Sequence, residues 1–173
     1  MRMTPHPIPD AYWAQEGKLL AGPYPFLDCA TRPAKREAIH ALLRAGVCTV
    51  VDLRTPAEPP SVRSLLGKLN AEATWIGMPI LDGAAPNQAL MESILDAMDA
   101  SIARGRPVYV HCQGGRGRTG TVVACWWIRH GHFDPAAAVE ALMQRRAGQP
   151  NGARMSPETG AQARLVKSWR PGA

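Results

Sequence analysis

The chain has 173 residues, a length that suits one domain with a full core and is too short for two. Hydrophobic residues make up 46% of the sequence and charged residues 20%, as in ordinary soluble globular proteins, and no apolar run approaches the length of a membrane span. The formal net charge of +6 favours anionic partners in general, and nothing points to nucleic acid. We therefore predict a single domain over residues 1–173 and leave its oligomeric state open.

The four cysteines are scattered, without the CxxC spacing of metal sites or the pattern of a disulfide framework. The first ten residues contain no apolar core and do not resemble a signal peptide. We therefore predict no metal and no cofactor, and we expect the protein to work in the reducing cytoplasm.

The first half of the chain alternates short strands with helical patterns. Residues 1–16 are rich in proline and are predicted to form an extended N-terminal arm. Residues 18–22 are a predicted strand ended by a Gly-Pro turn, and residues 33–45 are a predicted helix. Residues 47–53 are the clearest strand, because they are rich in β-branched and apolar side chains, which indicates burial on both faces.

Asp52 and Arg54 lie where that strand ends, and this edge of an open α/β sheet borders the ligand crevice. Two interpretations remain open for them, a structural ion pair and a group that supports the site from behind. A short helical pattern covers residues 62–69, and residues 74–80 are a third predicted strand.

Helical patterns dominate the second half. Residues 87–104 carry one apolar stripe, and residues 107–110 form a further strand. An Asp-Pro pair at 134–135 begins another helix, and the Ser-Pro-Glu sequence at 156–158 is predicted to begin the last, with serine as its cap. This alternation predicts an α/β domain with a mostly parallel central sheet flanked by helices.

The glycine-rich segment HCQGGRGRTG, residues 111–120, separates a strand from a helix. Backbone N–H groups in such a turn converge on an anion, and the positive end of the following helix adds to the field and favours the thiolate of Cys112. Arg118 can hold two oxygens of a tetrahedral oxyanion, and the hydroxyl of Thr119 can stabilise the thiolate. The loop glycines Gly114, Gly115 and Gly117 would allow positive φ angles and a close approach of the backbone to the ligand.

The pattern His-Cys-x-x-Gly-x-x-Arg-Thr over residues 111–119 resembles the signature of the cysteine-dependent protein tyrosine and dual-specificity phosphatases. Residues 19–25, Leu-Leu-Ala-Gly-Pro-Tyr-Pro, are similar to the opening strand of small bacterial members of that group. The resemblance implies the phosphatase fold of the dual-specificity type and hydrolysis through a phosphocysteine on Cys112. His111 is expected to orient the loop. The substrate phosphate is expected to contact Gln113, Gly114, Gly115, Arg116, Gly117 and Arg118.

In this family the acid that protonates the leaving oxygen is an aspartate about thirty residues before the cysteine. Asp82 stands 30 residues before Cys112, in a Gly-Ala-Ala-Pro loop after the third strand, although the Trp-Pro-Asp triplet is absent. We expect Asp82 to act first as general acid and then as the base that activates water. The alternative is that Asp82 only shapes the turn.

Residues 156–162, Ser-Pro-Glu-Thr-x-x-Gln, are similar to a segment of related small phosphatases. By that resemblance, Gln162 is expected to position the hydrolytic water, the alternative being a plain helix surface residue. Glu158 is a second candidate in this segment, as a brace for Arg118.

The substrate predicted first is phosphotyrosine in proteins, with phosphoserine and phosphothreonine as further candidates. A phosphoinositide or inositol phosphate is the alternative, because Arg116 adds a charge inside the loop, although Gln113 replaces a basic residue of such enzymes. A small anionic phosphate ester is thus the other possible partner. A non-catalytic phosphate-binding module and a rhodanese-like sulfur-transfer domain are less favoured, because Cys112, Arg118 and Asp82 are all present.

Overall fold

The computed structural model describes residues 7–173 and contains one five-stranded sheet and six helices in this range. The strands, in spatial order β1-β2-β5-β3-β4, are parallel except for β1, which pairs antiparallel with β2. The strands are β1 Tyr12–Gln15, β2 Leu19–Gly22, β3 Thr49–Asp52, β4 Thr74–Gly77 and β5 Val108–His111. The predicted α/β class with a mostly parallel sheet is confirmed.

The helices cover the two faces of this sheet. They are α1 Arg32–Arg44, α2 Arg63–Leu69, α3 Gln88–Ala103, α4 Arg118–Arg129, α5 Pro135–Arg146 and α6 Gly160–Ser168. Buried residues of α1 and α2 pack with Val50 and Tyr109, whereas α3 to α6 pack with Val51 and Val110. Successive strand residues point to opposite faces, so a helix layer on each face explains why all four residues of β3 are buried.

Two local predictions need correction. Tyr12 to Gln15 form an edge strand of the sheet, with Tyr12 and Trp13 buried, rather than an arm; residues 1–6 of the predicted arm lie outside the described range. The last helix begins at Gly160 and is capped by Thr159, not by Ser156. The Ser156 hydroxyl instead donates to the carbonyl of Arg116. Ser156 therefore contacts the loop after Cys112 rather than the start of a helix.

The parallel strands β2, β5 and β3 end at the same edge of the sheet. Gly22 and Asp52 both lie beside His111 in the register of the sheet, one residue before Cys112. Loops that follow the three strands therefore converge on the start of α4. No helix between residues 7 and 173 is long and apolar enough to cross a membrane.

Candidate active site

Cys112 lies where β5 ends, at the floor of a cleft of about 280 Å³. The cleft is lined by Leu27, Asp82, Cys112, Gln113, Gly114, Arg116, Gly117, Arg118, Asn151, Arg154 and Glu158. Seven of the residues predicted from the sequence are therefore brought together. Four others, His111, Gly115, Thr119 and Gln162, lie outside this lining.

The loop after Cys112 is held from its outer side. The carbonyl of Gln113 accepts a hydrogen bond from the Tyr24 N–H at 3.0 Å, and the Arg116 carbonyl accepts one from Ser156 Oγ at 2.7 Å. Gly115 has φ near 70°, and a Cβ there would lie 2.5 Å from backbone atoms of Gly22 and Pro23. Only glycine fits that approach, because both the backbone angle and the space exclude a side chain.

Positive φ is observed at Gly115 alone among the three loop glycines, so Gly114 and Gly117 do not use the freedom that glycine allows there. Gly117 precedes the first residue of α4 with φ of −77°. Within residues 7–173, no backbone N–H of residues 113–118 donates to another residue. These donors and the N-terminus of α4 together form a concave site for an anion.

Arg118 is buried and its guanidinium is fixed by several acceptors. Nη1 and Nη2 each donate to one carboxylate oxygen of Glu58 at 2.8 Å, and Nη1 also donates to the Ile80 carbonyl at 3.0 Å. Nε is buried and has no acceptor among the described residues. A buried donor without a partner is costly, and an oxyanion above Cys112 is a natural acceptor for it.

The carboxylate that braces Arg118 is Glu58, and Glu158, the candidate that the sequence offered for this role, pairs with Arg116 instead. The hydrogen bonds from Arg118 are the main cause that lowers the pKa of Glu58 to about 2, so the carboxylate is ionised at neutral pH. Burial alone would lower the pKa of Arg118, but the hydrogen bonds to Glu58 together with the nearby charges of Cys112, Glu58 and Asp82 raise that pKa. Glu58 lies 60 residues before Arg118 in the loop after β3, and no spacing rule signalled this pair.

Asp82 lies at the mouth of the cleft on the loop after β4. One carboxylate oxygen is 3.0 Å from Arg118 Nη2, and 79% of the side chain is exposed. Its carboxylate therefore stands at the open side of the cleft that also contains Cys112, where a leaving group would depart.

His111 is fully buried beneath the loop. Burial is the main cause that lowers its pKa to about 4, so the imidazole is neutral at pH 7. Its Nδ1 lies 3.1 Å from the carbonyl oxygen of Cys112, and its Nε2 lies 3.8 Å from Asp52. A neutral ring can donate a hydrogen bond from Nδ1 to this carbonyl at the start of the loop. The Thr119 hydroxyl, also buried, has no partner among the described residues.

Asp52 and Arg54 form a buried ion pair, with Nε and Nη2 of the arginine each 3.0 Å from one oxygen of the carboxylate. The guanidinium also stacks on the Tyr24 ring and reaches the Gln113 side chain at 3.5 Å. The pair is thus structural and also touches the loop from behind, so the two interpretations of the sequence both describe part of its role.

Beyond Glu58 lies a second cavity of about 360 Å³, which does not include Cys112.

Gln162 is buried beside Gly117 in the first turn of α6. Its Oε1 accepts hydrogen bonds from the N–H groups of Glu158 and Thr159, and its Nε2 donates to the Ala84 carbonyl at 3.2 Å. The side chain therefore ties the start of α6 to the loop that carries Asp82. The carboxylate of Glu158 pairs with Arg116.

The chain was compared with known families and proteins. A family model described as "Swiss Army Knife protein, DSP-PTPase phosphatase domain" (PTP-SAK) matches residues 23–172. The phosphatidylglycerophosphate phosphatase PTPMT2 of Arabidopsis thaliana is 32% identical over 137 residues, which cover 78% of this chain and 55% of that protein. The chain spans about half the length, or less, of the curated relatives it matches.

Solved structures share the fold. Pseudomonas aeruginosa TpbA in complex with pTyr has a TM-score of 0.70 at 22% identity, over 96% of this chain and 88% of that chain. PTPMT1 in complex with PI(5)P also has a TM-score of 0.70, at 20% identity, over 91% of this chain and 92% of that chain. These structures support the fold that the sequence predicted.

Proposed function

Because this chain belongs to the family of Swiss Army Knife proteins with a DSP-PTPase phosphatase domain, we propose that it hydrolyses phosphate monoesters through a phosphocysteine intermediate. The observation that carries the proposal is the arrangement around Cys112. A cysteine, a fixed arginine and six backbone N–H groups that have no acceptor within residues 7–173 surround one cleft, with Asp82 at its mouth. We also propose that the chain acts as a single phosphatase domain.

The first step is attack of the Cys112 thiolate on phosphorus, which forms the S–P bond as the P–O bond to the leaving group breaks. The N–H groups of residues 113–118 and the Arg118 guanidinium hold the three remaining phosphate oxygens. Asp82 in its protonated form donates a proton to the leaving oxygen. Arg118 need not reorganise, since Glu58 already holds it in place.

In the second step water attacks the phosphocysteine. Asp82, now a carboxylate, takes a proton from this water, the S–P bond breaks, and phosphate and the thiolate are released. Both amide ends of Gln162 already have hydrogen-bond partners. We therefore propose that Gln162 supports this step by holding the Asp82 loop near Gly117 rather than by binding the water itself.

The substrate we propose is phosphotyrosine in proteins. The Arg116 guanidinium, the group expected to bind an extra phosphate of an inositol ring, is paired with Glu158 and so offers less attraction to a further anion. TpbA, whose structure contains pTyr, shares the fold. A phospholipid monoester is the second candidate, favoured by the similarity to a phosphatidylglycerophosphate phosphatase.

A thiolate enzyme needs reducing conditions, and the four cysteines are free within the described residues. We therefore propose that the protein works in the cytoplasm.

The mechanism is tested with two substitutions and two leaving groups. Cys112→Ser is expected to abolish turnover of p-nitrophenyl phosphate. Asp82→Asn is expected to lower kcat about 100-fold with phenyl phosphate and less with p-nitrophenyl phosphate, because the better leaving group needs less protonation. An equal loss with both substrates would contradict the role of Asp82, and normal turnover by Cys112→Ser would contradict the mechanism.

The substrate class is tested by a panel of phosphotyrosine peptides, inositol polyphosphates and a phospholipid monoester in mixed micelles. A higher kcat/KM for the peptides supports the first candidate. A preference for the phospholipid supports the second, and a preference for soluble inositol polyphosphates contradicts both.

A further inference from the structure

Arg154 lies on the loop between α5 and α6 and lines the same cleft as Cys112. Its side chain is exposed and forms no ion pair within residues 7–173. The two other arginines of the cleft differ from it, because Arg116 pairs with Glu158 and Arg118 with Glu58. Among the described residues, Arg154 is therefore the cleft cation whose charge no carboxylate offsets.

The loop that carries Arg154 is built around a buried arginine. Arg146, at the end of α5, donates to the Arg154 carbonyl at 2.6 Å and to the Asn151 carbonyl at 2.9 Å. Asn151 in turn donates from its backbone and its side chain to the carboxylate of Asp10, at 3.0 and 2.8 Å. These bonds fix the backbone beneath Arg154, so less ordering of the loop opposes binding.

We propose that Arg154 forms a second anion subsite, which binds the carboxylate of an acidic residue next to the phosphotyrosine of a protein substrate. This inference rests on the proposed phosphatase function and specifies its substrate. Arg118 and the loop N–H groups bind the phosphate on the floor of the cleft, and Arg154 meets a second negative charge nearer its mouth. A planar guanidinium accepts a carboxylate in bidentate geometry, which gives selectivity as well as attraction.

The rim of the cleft favours a peptide over an anionic membrane. Asp82 has 79% of its side chain exposed at this rim, and a flat anionic lipid surface would bring many negative charges up to it, whereas a peptide can direct one acidic side chain at Arg154. Three exposed apolar side chains, Leu27 at 43%, Leu81 at 71% and Met155 at 63%, lie in the cleft wall or next to residues that line it. Such a mixed rim suits the varied side chains of a peptide around one phosphotyrosine.

The test uses phosphotyrosine peptides that differ only at the positions flanking the tyrosine, which are Glu, Gln or Lys. We expect the wild-type protein to prefer the Glu peptide over the Gln peptide about fivefold in kcat/KM, less so at high salt because the contact is exposed. In Arg154→Ala this ratio is expected to fall to about one, and Arg154→Glu is expected to prefer the Lys peptide. Arg104→Ala, at the end of α3, is the matched control and should keep the wild-type ratio.

Different failures have different meanings in this test. A wild-type ratio near one, with turnover that still depends on Cys112, would overturn the subsite and leave the proposed function intact. Full wild-type activity in Cys112→Ser would instead overturn the proposed function. A larger kcat/KM for an inositol bisphosphate than for any peptide, lost in Arg154→Ala, would overturn the peptide as occupant. Thermal unfolding of each variant verifies that its fold is retained.

Discussion

The orientation of Arg118 depends on residues far from it in the sequence, chiefly Glu58. Glu58 holds both terminal nitrogens of the guanidinium, and the Ile80 carbonyl holds one of them a second time. The Glu58 carboxylate stays ionised far below neutral pH, since its pKa is lowered to about 2. The arginine is therefore positioned before substrate binds, which is what electrostatic stabilisation of a transition state requires.

Glu58→Gln tests this positioning role. We expect kcat to fall about tenfold to a hundredfold, because an amide oxygen holds the guanidinium at one point rather than two and a small misplacement is costly. The measurement is steady-state turnover of p-nitrophenyl phosphate. Glu72→Gln is the control, since within residues 7–173 Glu72 forms hydrogen bonds only through its backbone. A kcat equal to that of the wild type would show that Arg118 is oriented without Glu58.

At the scale of the elements, the loop after Cys112 and the end of β2 are in direct contact at Gly115. Gly115 has a left-handed φ, and a Cβ added there would lie 2.5 Å from backbone atoms, whereas a Cβ added at Gly114 would meet nothing within 4 Å. The two adjacent glycines therefore have different constraints, although they look alike in the sequence.

Gly115→Ala is expected to lower the free energy of unfolding by about 3 kcal/mol or more, because the left-handed angle and the steric overlap both oppose a side chain. Gly114→Ala is the matched control and is expected to change it by less than about 1 kcal/mol. Urea unfolding followed by tryptophan fluorescence measures both. Equal losses in the two variants would show that steric contact with β2 is not the cause.

Local signals in the sequence predicted most elements, and contacts between distant segments account for the errors. Asp134 caps its helix as the Asp-Pro pair in the sequence indicated. The roles of Glu58 and Ser156 depend on partners that only the folded chain brings close, 60 and 40 residues away. The nucleophile and its loop can be predicted from one segment of the sequence, whereas the groups that hold the loop come from several distant segments.

For the whole molecule, the buried His111 links stability to pH. Its pKa is about 4 in the folded protein and near 6.5 in an unfolded chain, so the unfolded chain binds more protons between these values. The free energy of unfolding is then highest above pH 6.5 and falls as pH decreases toward 4. The difference from this one group amounts to about 3 kcal/mol.

Urea unfolding of the wild-type protein at pH 7 and pH 4.5 measures this loss. Other acid-titrating groups contribute too, so an NMR titration of the His111 imidazole separates its share. We expect the ring to stay neutral down to about pH 5. A midpoint near 6.5 would show that the folded protein accommodates the charged ring and that His111 does not cause the loss.

The contact between Gly115 and the end of β2 also limits which segments can be moved to another protein, or can change in evolution, without loss of the site. Gly22, too, has no room for a Cβ, because Tyr109 and Ala11 lie within 3 Å of that position. Tyr109 donates to the Pro23 carbonyl, and the Tyr24 N–H donates to Gln113. A graft of residues 111–120 into another scaffold would therefore need the turn at residues 22–24 as well. In descendants of this chain, the two segments should change together or not at all.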